Sequence, residues 1–303
     1  MDLGLTDDQR AILEAIDALA RPYENPVLHE TGFAMPSAEL DAELAEGGFL
    51  DVAFDPDLGE VSAALVVERL ARLAYAVEAG ASALVRPLLG DNTPRPLCLI
   101  EAGKKRPLVR FLQPGATVLV VGDDCVSSFV ADESHIEAVT ESLFAYPVTT
   151  LVNTDGATPL DVSVDDILTR WRVALAAEAA GLLAASLASA QLYTTERKQF
   201  GREIATFQAI RHRMAEAQVR TNGAYWLTMK AAGTLDAGDA AMAASFAQDT
   251  IRQVVYDFHQ FLGAMGMTLE HPLHLWTYRL KLLSGELGGR SANALAAADA
   301  IWG

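Results

Sequence analysis

The chain has 303 residues, of which 51% are hydrophobic, so it can bury a sizeable core as one large helical domain or as two domains. Its formal net charge of −17 argues against a nucleic-acid partner, because so many carboxylates repel an extended polyanion. The two cysteines, Cys98 and Cys125, form neither a disulfide framework nor a metal-ligand pattern, which favours a reducing compartment.

The amino-terminal ninety residues predict helices. The stretch MDLGLTDDQR starts acidic and lacks the basic and then apolar order of a signal peptide, which favours a cytoplasmic protein. Thr6, with a glutamine three residues later, forms a capping-box pattern ahead of apolar residues at helical spacing, and predicts a helix over residues 7–20. A second helix, capped by Ser37, is expected to end at Gly47-Gly48, and residues 61–90 predict one or two more.

The composition changes between residues 95 and 153. Short apolar or β-branched runs such as RPLCLI, ATVLVV and VTTLVN alternate with Gly-Lys, Pro-Gly and Gly-Asp-Asp turn signals. This alternation is typical of small antiparallel strands. It predicts a compact β-module between two helical regions.

Long helical patterns return after Val164. Four helices are expected, over residues 165–196, 204–232, 239–263 and 271–301, with breaks at Gly201, Gly233–Gly238 and Gly263–Gly266. Long helices with short connections predict a four-helix bundle. The fold class is therefore mainly α with a small β-domain, divided at about residues 1–92, 93–160 and 161–303.

One stretch of the first bundle helix, residues 174–190, is apolar enough to suggest a membrane span. It contains Glu178, however, and consists mostly of alanine, serine and glycine. Such small residues suit close helix packing inside a protein, so no membrane span is expected.

A polar, cationic segment, YTTERKQFGREIATFQ (193–208), separates the first two bundle helices. Ile204 is expected to begin the second helix, whose free backbone N–H groups and the nearby Arg197 guanidinium would form an anion site suited to a pyrophosphate. Two aromatic and two amide side chains would add surfaces for a ring system and hydrogen-bonding partners: Phe200, Phe207, Gln199 and Gln208.

The same segment has an alternative interpretation that involves no ligand. Arg197 and Lys198 would then complement the carboxyl end of the preceding helix, and Phe200 and Phe207 would pack in the core. The residue pattern alone leaves both interpretations open.

A second candidate segment is HQFLGAMGMTLEHPLH (259–274). Gly263 and Gly266 would let a ligand approach the backbone closely, and Gln260 supplies an amide. No strand precedes these glycines, so a Rossmann dinucleotide site is not indicated, and the alternative is an ordinary turn between helices. The histidines lack metal-ligand spacing, so no metal site is predicted.

The motifs of these two segments occur together in a known family. YTTERKQFG, FQAIRHRMAEAQ and QFLGAMG…EHPLH resemble the carboxyl-terminal bundle of the acyl-CoA dehydrogenase family, and LTDDQRAILEAIDALA is similar to the first helix of that family. The resemblance is strong over residues 165–290, fair over 1–90 and poor between them. It implies an N-terminal helical domain, a middle β-domain and a C-terminal four-helix bundle, with FAD as cofactor and oxidation of the α,β bond of acyl-CoA thioesters.

The resemblance assigns one set of residues to the FAD of a neighbouring subunit. From the first segment these are Arg197, Gln199, Phe200, Phe207 and Gln208, and from the second they are Gln260 and Gly263. Ala264 departs from the pattern, because many members have a second glycine there.

The catalytic carboxylate, which removes the α-proton in this family, is missing from both of its usual places. Alignment puts Trp171 at one of them and Leu287 at the other. Glu286 precedes the second position by one residue, a shift that rotates a helical side chain by about 100°. Glu286 would therefore act as the base only if the backbone shifts, and the alternative is a solvated glutamate at a glycine-rich bend.

The middle region lacks further signatures of the family. Residues 96–135 contain no Thr-Glu-Pro, Gly-Ser-Asp or Asn-Gly-x-Lys motif for the flavin ring and the thioester. Motifs for the chain's own flavin are thus missing, whereas those for a neighbour's FAD remain. This asymmetry resembles the short, non-catalytic subunits of heterotetrameric (α2β2) actinobacterial acyl-CoA dehydrogenases, which act on steroid side-chain CoA thioesters.

Three functional hypotheses follow. In the first, the chain helps a catalytic partner subunit bind FAD for α,β-dehydrogenation of a bulky acyl-CoA, with an electron-transferring flavoprotein as acceptor. In the second, it is a self-sufficient homo-oligomeric acyl-CoA dehydrogenase with Glu286 as the base. In the third, it is a structural or acyl-binding protein without redox chemistry.

Overall fold

The computed structural model describes residues 4–303, which begin with four helices. These are α1 (Asp7–Ala20), α2 (Ala38–Glu46), α3 (Gly59–Ala71) and α4 (Gly80–Leu84). The predicted capping box is confirmed, because the Thr6 hydroxyl accepts a hydrogen bond from the Gln9 backbone N–H and the Gln9 side chain accepts one from the Thr6 N–H. The Ser37 hydroxyl caps α2 in the same way, by accepting from the Leu40 N–H.

Two small sheets follow. Their strands are β1 (Leu97–Glu101), β2 (Leu108–Arg110), β3 (Thr117–Val121), β4 (Val126–Val130), β5 (Ile136–Ala138), β6 (Val148–Leu151) and β7 (Thr158–Pro159). One sheet has the strand order β1-β3-β4-β7 and the other has the order β2-β6-β5.

The expectation of antiparallel strands was wrong for one pair. β1 runs parallel to β3, with Leu97 opposite Thr117 and Glu101 opposite Val121, whereas the other pairs in the two sheets are antiparallel. The parallel pairing of β1 and β3 arises because the strand between them in sequence, β2, belongs to the second sheet. The chain therefore leaves the first sheet after β1 and re-enters it in the same direction.

The carboxyl-terminal half is a helical bundle, as predicted. Its helices are α5 (Val164–Glu196), α6 (Gln208–Thr234), α7 (Ala237–Leu262), α8 (Leu273–Leu283) and α9 (Gly289–Trp302). In the part of the chain that the structure describes, only α5 has the length and apolar composition to cross a membrane, and 78% of that apolar stretch is buried inside the protein. α5 is thus the central core helix. The fold class is mainly α with a small β region, as predicted.

The prediction of a single helix over residues 271–301 was wrong. α8 ends at Leu283, and α9 begins at Gly289 after a short 3-10 turn over Glu286–Gly288. Leu287 has a left-handed backbone with φ 53°, and the next two residues are glycines with φ 72° and 73°. A left-handed residue cannot continue an α-helix, so the chain bends here and turns the Glu286 side chain inward.

Arg279 of α8 joins the three parts of the chain. Its side chain is buried and donates hydrogen bonds of 2.6–3.2 Å to five backbone carbonyls, those of Ala34, Leu73, Ala74, Tyr75 and Ala145. Burial lowers the pKa of this guanidinium to about 10, so it remains charged. These bonds fix the amino-terminal helices and the β-module against the bundle, and so define the space between them.

Candidate functional site

The segment between α5 and α6 is a tight hairpin. Its strands, β8 (Lys198–Gln199) and β9 (Arg202–Glu203), pair antiparallel around a two-residue turn. Phe200 and Gly201 in that turn have φ of 56° and 80°. Two positive φ values are characteristic of a type I′ hairpin turn, which holds Phe200 away from the body of the protein. We name this hairpin, together with residues 204–208, the elbow.

α6 starts later than expected. Ile204–Thr206 form a 3-10 turn rather than the first helical turn, and Phe207 has an extended backbone, so the helix begins at Gln208. No side chain caps this helix start. An uncapped helix start presents free N–H groups and a partial positive charge.

The two phenylalanines of the elbow lie outside the core. Phe200 is 91% exposed, and its ring meets the half-buried Phe207 edge to face with 6.0 Å between centroids. The Arg202 guanidinium lies 4.1 Å from the centroid of the Phe207 ring. The alternative in which both phenylalanines pack in the core is therefore wrong for Phe200.

Arg197 is the elbow cation that is free to bind a ligand. Lys198 forms an ion pair of 3.3 Å with Glu203, and Gln199 donates a hydrogen bond to the Lys198 carbonyl. The Arg197 side chain is exposed and has no ion pair or hydrogen bond within residues 4–303. The elbow thus presents an unneutralised guanidinium at its base and an exposed aromatic ring in its turn.

The second candidate segment lies at the same end of the bundle. Two residues connect α6 to α7, so these helices are antiparallel, and an ion pair joins Arg213 to Asp257. Arg213 is five residues after the start of α6, and Asp257 is five residues before the end of α7. Gln208 and Leu262 are therefore at the same end, and so are the exposed Gln260 and Gly263.

A groove continues from this end along α7, α8 and α9. It has a volume of about 1010 Å³ and is lined by Gln260 and Gly263, together with Arg252, Lys281 and Tyr256. At the end of α5, Tyr193 meets His271 edge to face with 5.6 Å between ring centroids. The structure thus brings all seven residues of the predicted cofactor set to one exposed end of the bundle.

A second site is a partly open cavity of about 260 Å³ between the β-module and the bundle. It is lined by β1, β2, α5 and the turn that follows α8. Trp171 and Leu287, which occupy the two family positions for the catalytic carboxylate, both line this cavity, and so does Glu286. The two family positions for the catalytic carboxylate therefore lie at the same cavity.

Arg110, at the end of β2, occupies the polar side of the cavity. Its Nη1 donates to both carboxylate oxygens of Glu178 at 2.9 Å, and its Nε lies 2.8 Å from Oε1 of Glu286. The Tyr146 hydroxyl donates to Glu178 at 2.6 Å, and the guanidinium carbon lies 4.8 Å from the centroid of the Tyr146 ring. Burial lowers the pKa of Arg110, but Glu178 and Glu286 more than offset this effect and hold it above its usual value.

Glu286 is not the solvated glutamate of the alternative interpretation. Its side chain is 17% exposed, and its Oε2 is buried with no hydrogen-bond partner among the described residues. Burial raises the pKa of this carboxyl, although Arg110 opposes the shift. The left-handed Leu287 is the backbone change that brings Glu286 to the cavity.

Arg110 and Tyr146 were not predicted from the sequence. The only indication of these partners was Glu178, a charged residue in an apolar helix, because a buried carboxylate needs a partner. Its partners are 68 and 32 residues away in the chain. No spacing rule connects such distant residues.

The two sites offer different ligand chemistry. The elbow offers a free guanidinium, an exposed ring and an uncapped helix start, which fit the diphosphate and ring system of a dinucleotide. The cavity offers a cation that two carboxylates already neutralise. Residues 4–303 contain no group of three or more His, Cys, Asp or Glu side chains that could hold a metal ion.

Sequence comparisons match part of the chain to a family. Residues 162–292 match the family described as "Acyl-CoA dehydrogenase, C-terminal domain". Acyl-CoA dehydrogenase FadE34 of Mycobacterium tuberculosis is 34% identical over 186 residues, which are 58% of this chain but only 26% of FadE34. Acyl-CoA dehydrogenase IpdE2 of Mycolicibacterium smegmatis is 27% identical over 287 residues, which cover 84% of this chain and 92% of IpdE2.

Solved structures share the fold over nearly the whole length. The Tcur3481–Tcur3483 steroid ACAD G363A variant superposes with a TM-score of 0.78 at 21% identity, covering 97% of this chain and 98% of that one. The ChsE4–ChsE5 complex from Mycobacterium tuberculosis superposes with a TM-score of 0.75 at 18% identity, covering 97% of each chain. The chain therefore has the acyl-CoA dehydrogenase fold over nearly its whole length, and its residues 162–292 match the C-terminal domain of that family.

Proposed function

We propose that this chain is a non-catalytic subunit of a flavin-dependent acyl-CoA dehydrogenase and completes the FAD site of a catalytic partner subunit in a cytoplasmic α2β2 complex. Bound FAD supplies the hydride acceptor for α,β-dehydrogenation of a bulky acyl-CoA, such as a steroid side-chain thioester, and an electron-transferring flavoprotein accepts the electrons. This chain contributes the elbow and the end of α7, where Arg197 binds the diphosphate. Gln199, Phe200, Phe207, Gln208, Gln260 and Gly263 hold the rest of the dinucleotide.

One observation carries this proposal: the Arg197 guanidinium is exposed and unpaired on a surface that also exposes Phe200. A free guanidinium binds a diphosphate through charge-assisted, bidentate hydrogen bonds. A phenylalanine exposed at a turn is a typical sign of a surface that another molecule covers. Because the elbow faces outward, the dinucleotide that it binds belongs to a neighbouring subunit.

The cavity between the β-module and the bundle supports the same assignment. Trp171 stands at one base position and has no group that takes up a proton, and Arg110 engages the nearby Glu286. A base must have a free carboxylate within hydrogen-bond reach of the substrate. The chain therefore depends on another subunit for the chemical step.

The comparisons support a heteromeric assembly and a steroid-like substrate. One of the similar solved structures is described as a complex of ChsE4 and ChsE5, and another as a Tcur3481–Tcur3483 steroid ACAD. Both resemble this chain over almost all of its length. At 18–21% identity they show the fold alone, so the substrate class and the partner remain part of the proposal.

Flavin analysis of the complex tests the proposal. We would co-express the chain with a catalytic acyl-CoA dehydrogenase subunit, determine the mass of the complex, and measure flavin per chain. Arg197→Ala should weaken FAD binding by at least about tenfold, since a hydrogen bond to a charged group contributes about 1.5–3 kcal/mol.

Arg21→Ala is the matched control, because Arg21 is also an exposed arginine without a described partner but lies beyond α1, among the amino-terminal helices. Its flavin content should equal that of the unmodified complex. Unchanged FAD affinity in Arg197→Ala would refute the role of the elbow. A complex that contains no flavin would instead favour an acyl-binding protein without redox chemistry.

A second candidate function is a self-sufficient homo-oligomeric dehydrogenase with Glu286 as the base. The observation that favours it is the buried, unpartnered Oε2 of Glu286 at the cavity, together with the raised pKa of that carboxyl. A raised pKa makes a carboxylate a stronger base near neutral pH. This function requires that Arg110 release Glu286 when substrate binds.

Expression of the chain alone separates the two functions. A yellow protein that reduces a dye with acyl-CoA, and loses this activity in Glu286→Gln, would establish the second function. A colourless, inactive chain that gains flavin only with a partner supports the first.

A further inference from the structure

We infer that Arg110 is a built-in occupant of the cavity between the β-module and the bundle: it takes the place of a bound ligand, neutralises Glu178 and Glu286, and keeps flavin and thioester out of this subunit. The biological role of a cavity that binds neither flavin nor thioester rests on the proposed function. The two carboxylates form an anionic subsite that binds a cation. Its occupation by Arg110 can be tested on this chain without flavin or a partner.

Arg110 makes the contacts that a guanidinium ligand would make in a specific binding site. Two different carboxylates engage the Nη1 and Nε atoms at 2.8–2.9 Å, and the Tyr146 ring covers the guanidinium at 4.8 Å. The Tyr146 hydroxyl in turn holds Glu178 in position. A guanidinium thus fits this subsite in charge, planarity and hydrogen-bond geometry.

No other cation in the described residues can replace Arg110. Arg279 lies on the far side, 5.6 Å from the Tyr146 ring, but its donors bind backbone carbonyls. Lys104 at the cavity wall pairs with Glu101, and Arg95 pairs with Asp41 and Glu78. Without Arg110, Glu286 would lose its cation and Glu178 would retain only the electrostatic influence of Arg279, whose donors are used by backbone carbonyls.

The space that remains beside Arg110 is smaller than a typical ligand pocket. Pockets that bind drug-sized molecules have volumes of about 300–1,000 Å³. The cavity has about 260 Å³ while Arg110 is in place. A flavin ring and a thioester could enter together only if this side chain left, which would expose two buried carboxylates to each other.

Removal of the side chain should leave a binding site for a small guanidinium compound. We would measure the unfolding temperature of the full chain with Arg110→Ala in 10 mM methylguanidinium chloride and in 10 mM sodium chloride. Methylguanidinium should raise the unfolding temperature by about 3 °C, as expected for a ligand at roughly ten times its Kd. The unmodified chain should not respond, because its subsite is occupied.

Two further variants identify the groups responsible. The double variant Arg110→Ala with Glu286→Gln loses one carboxylate and should lose most of the methylguanidinium effect. Arg110→Met fills the space without a charge, so it should show no rescue. An equal response in Arg110→Ala and in the double variant would overturn the inference.

The pH dependence of stability gives a second, independent readout. In Arg110→Ala and Arg110→Met, Glu286 is buried without its cation and takes up a proton more readily in the folded chain than in the unfolded chain. Stability relative to the unmodified chain should therefore fall as the pH rises from 5 to 8. Glu178, Glu78, Glu101, Lys104 and Cys98 also face this cavity, and Tyr146 and Arg279 act on Glu178, but all of these groups are common to every variant.

The outcomes distinguish this inference from the proposed function. If neither variant changes the pH profile and Arg110→Ala shows no rescue, Arg110 is not a required occupant, whatever the elbow binds. If the rescue succeeds but Arg197→Ala leaves FAD binding unchanged, the occupied cavity stands and the proposed function fails.

Discussion

At the scale of single residues, His274 is a buried imidazole that lacks a full set of partners. Its Nδ1 lies 2.7 Å from the His271 carbonyl oxygen, whereas its Nε2 has no partner among the described residues. The ring stacks on His29 with 5.0 Å between centroids and on Phe33 with 5.7 Å. Burial, together with the nearby His29 and Arg279, lowers the pKa of His274 to about 4.

This pKa predicts a loss of stability in mild acid. An unfolded histidine has a pKa of about 6.5, so between pH 6.5 and 4 the unfolded chain binds a proton that the folded chain does not. At about 1.4 kcal/mol per pKa unit the full difference corresponds to about 3 kcal/mol, which screening by solvent reduces, so His274 should cost about 2 kcal/mol of folding free energy as the pH falls through this range. Urea unfolding at several pH values measures the effect.

His274→Gln is the matched variant, since it keeps a donor for the His271 carbonyl but does not titrate. Its stability should depend less on pH than that of the unmodified chain, by about 2 kcal/mol between pH 7 and 4. Contributions from other groups, such as His259 with its lowered pKa and His135 with its raised pKa, are common to both proteins and cancel. Identical pH profiles would show that His274 does not titrate in this range.

Residue-level features were only partly predictable. The sequence identified Glu286 as the carboxylate next to the family position, but its place in the cavity depends on the left-handed Leu287, which helical periodicity does not reveal. Arg110 was missed because its partners are brought together only by the packing of β2 against α5. The exposure of Phe200 contradicts only the alternative without a ligand, which placed this ring in the core.

At the scale of elements, the crossing of α3 and α5 depends on Gly181. A Cβ atom at this position would lie 2.1 Å from the Glu68 carbonyl oxygen and 2.8 Å from the Ala71 Cβ. Backbone atoms cannot move aside as a flexible side chain does. The two helices therefore approach as closely as they do only because residue 181 has no side chain.

Gly181→Ala should reverse the usual effect of this substitution. Alanine in a helix interior is normally more stable than glycine by about 1 kcal/mol, but here the clash should destabilise the protein by about 1–3 kcal/mol. Gly233→Ala in α6 is the control, since its Cβ would meet only Val61 Cγ2, at an ordinary 3.5 Å. Denaturant unfolding compares them, and a stabilised Gly181→Ala would show that the helices can separate without cost.

The elements that local rules govern were predicted well, and those that depend on the tertiary fold were not. Thr6 and Ser37 cap their helices as expected, because a cap depends on residues within one turn. The start of α6 and the break before α9 were misplaced, because helical periodicity continues through both positions. The parallel pairing of β1 and β3 depends on a strand exchange between two sheets, which no local pattern encodes.

At the scale of the whole molecule, one end of the bundle exposes large apolar side chains together with cations that have no ion-pair partner in the described part of the chain. Phe200, Tyr256 and Met267 are large apolar residues exposed on the elbow, on α7 and on the turn after α7. The groove along α7 and α8 also contains Arg252 and Lys281, which have no ion-pair partner in the described part of the chain. An exposed mixture of apolar rings and free cations suits an acidic, partly apolar partner surface.

Phe200→Asp should therefore impair assembly with the catalytic subunit. Exposed aromatic residues at the centre of an interface are frequent hot spots, and a negative charge beside Arg197 would also compete with a diphosphate, so we expect affinity to fall by at least about tenfold. Leu143→Asp is the control, because Leu143 is 76% exposed but lies on the β-module. Native mass spectrometry at decreasing protein concentration measures the heteromeric fraction, and equal dissociation of the two variants would place the partner surface elsewhere than the elbow.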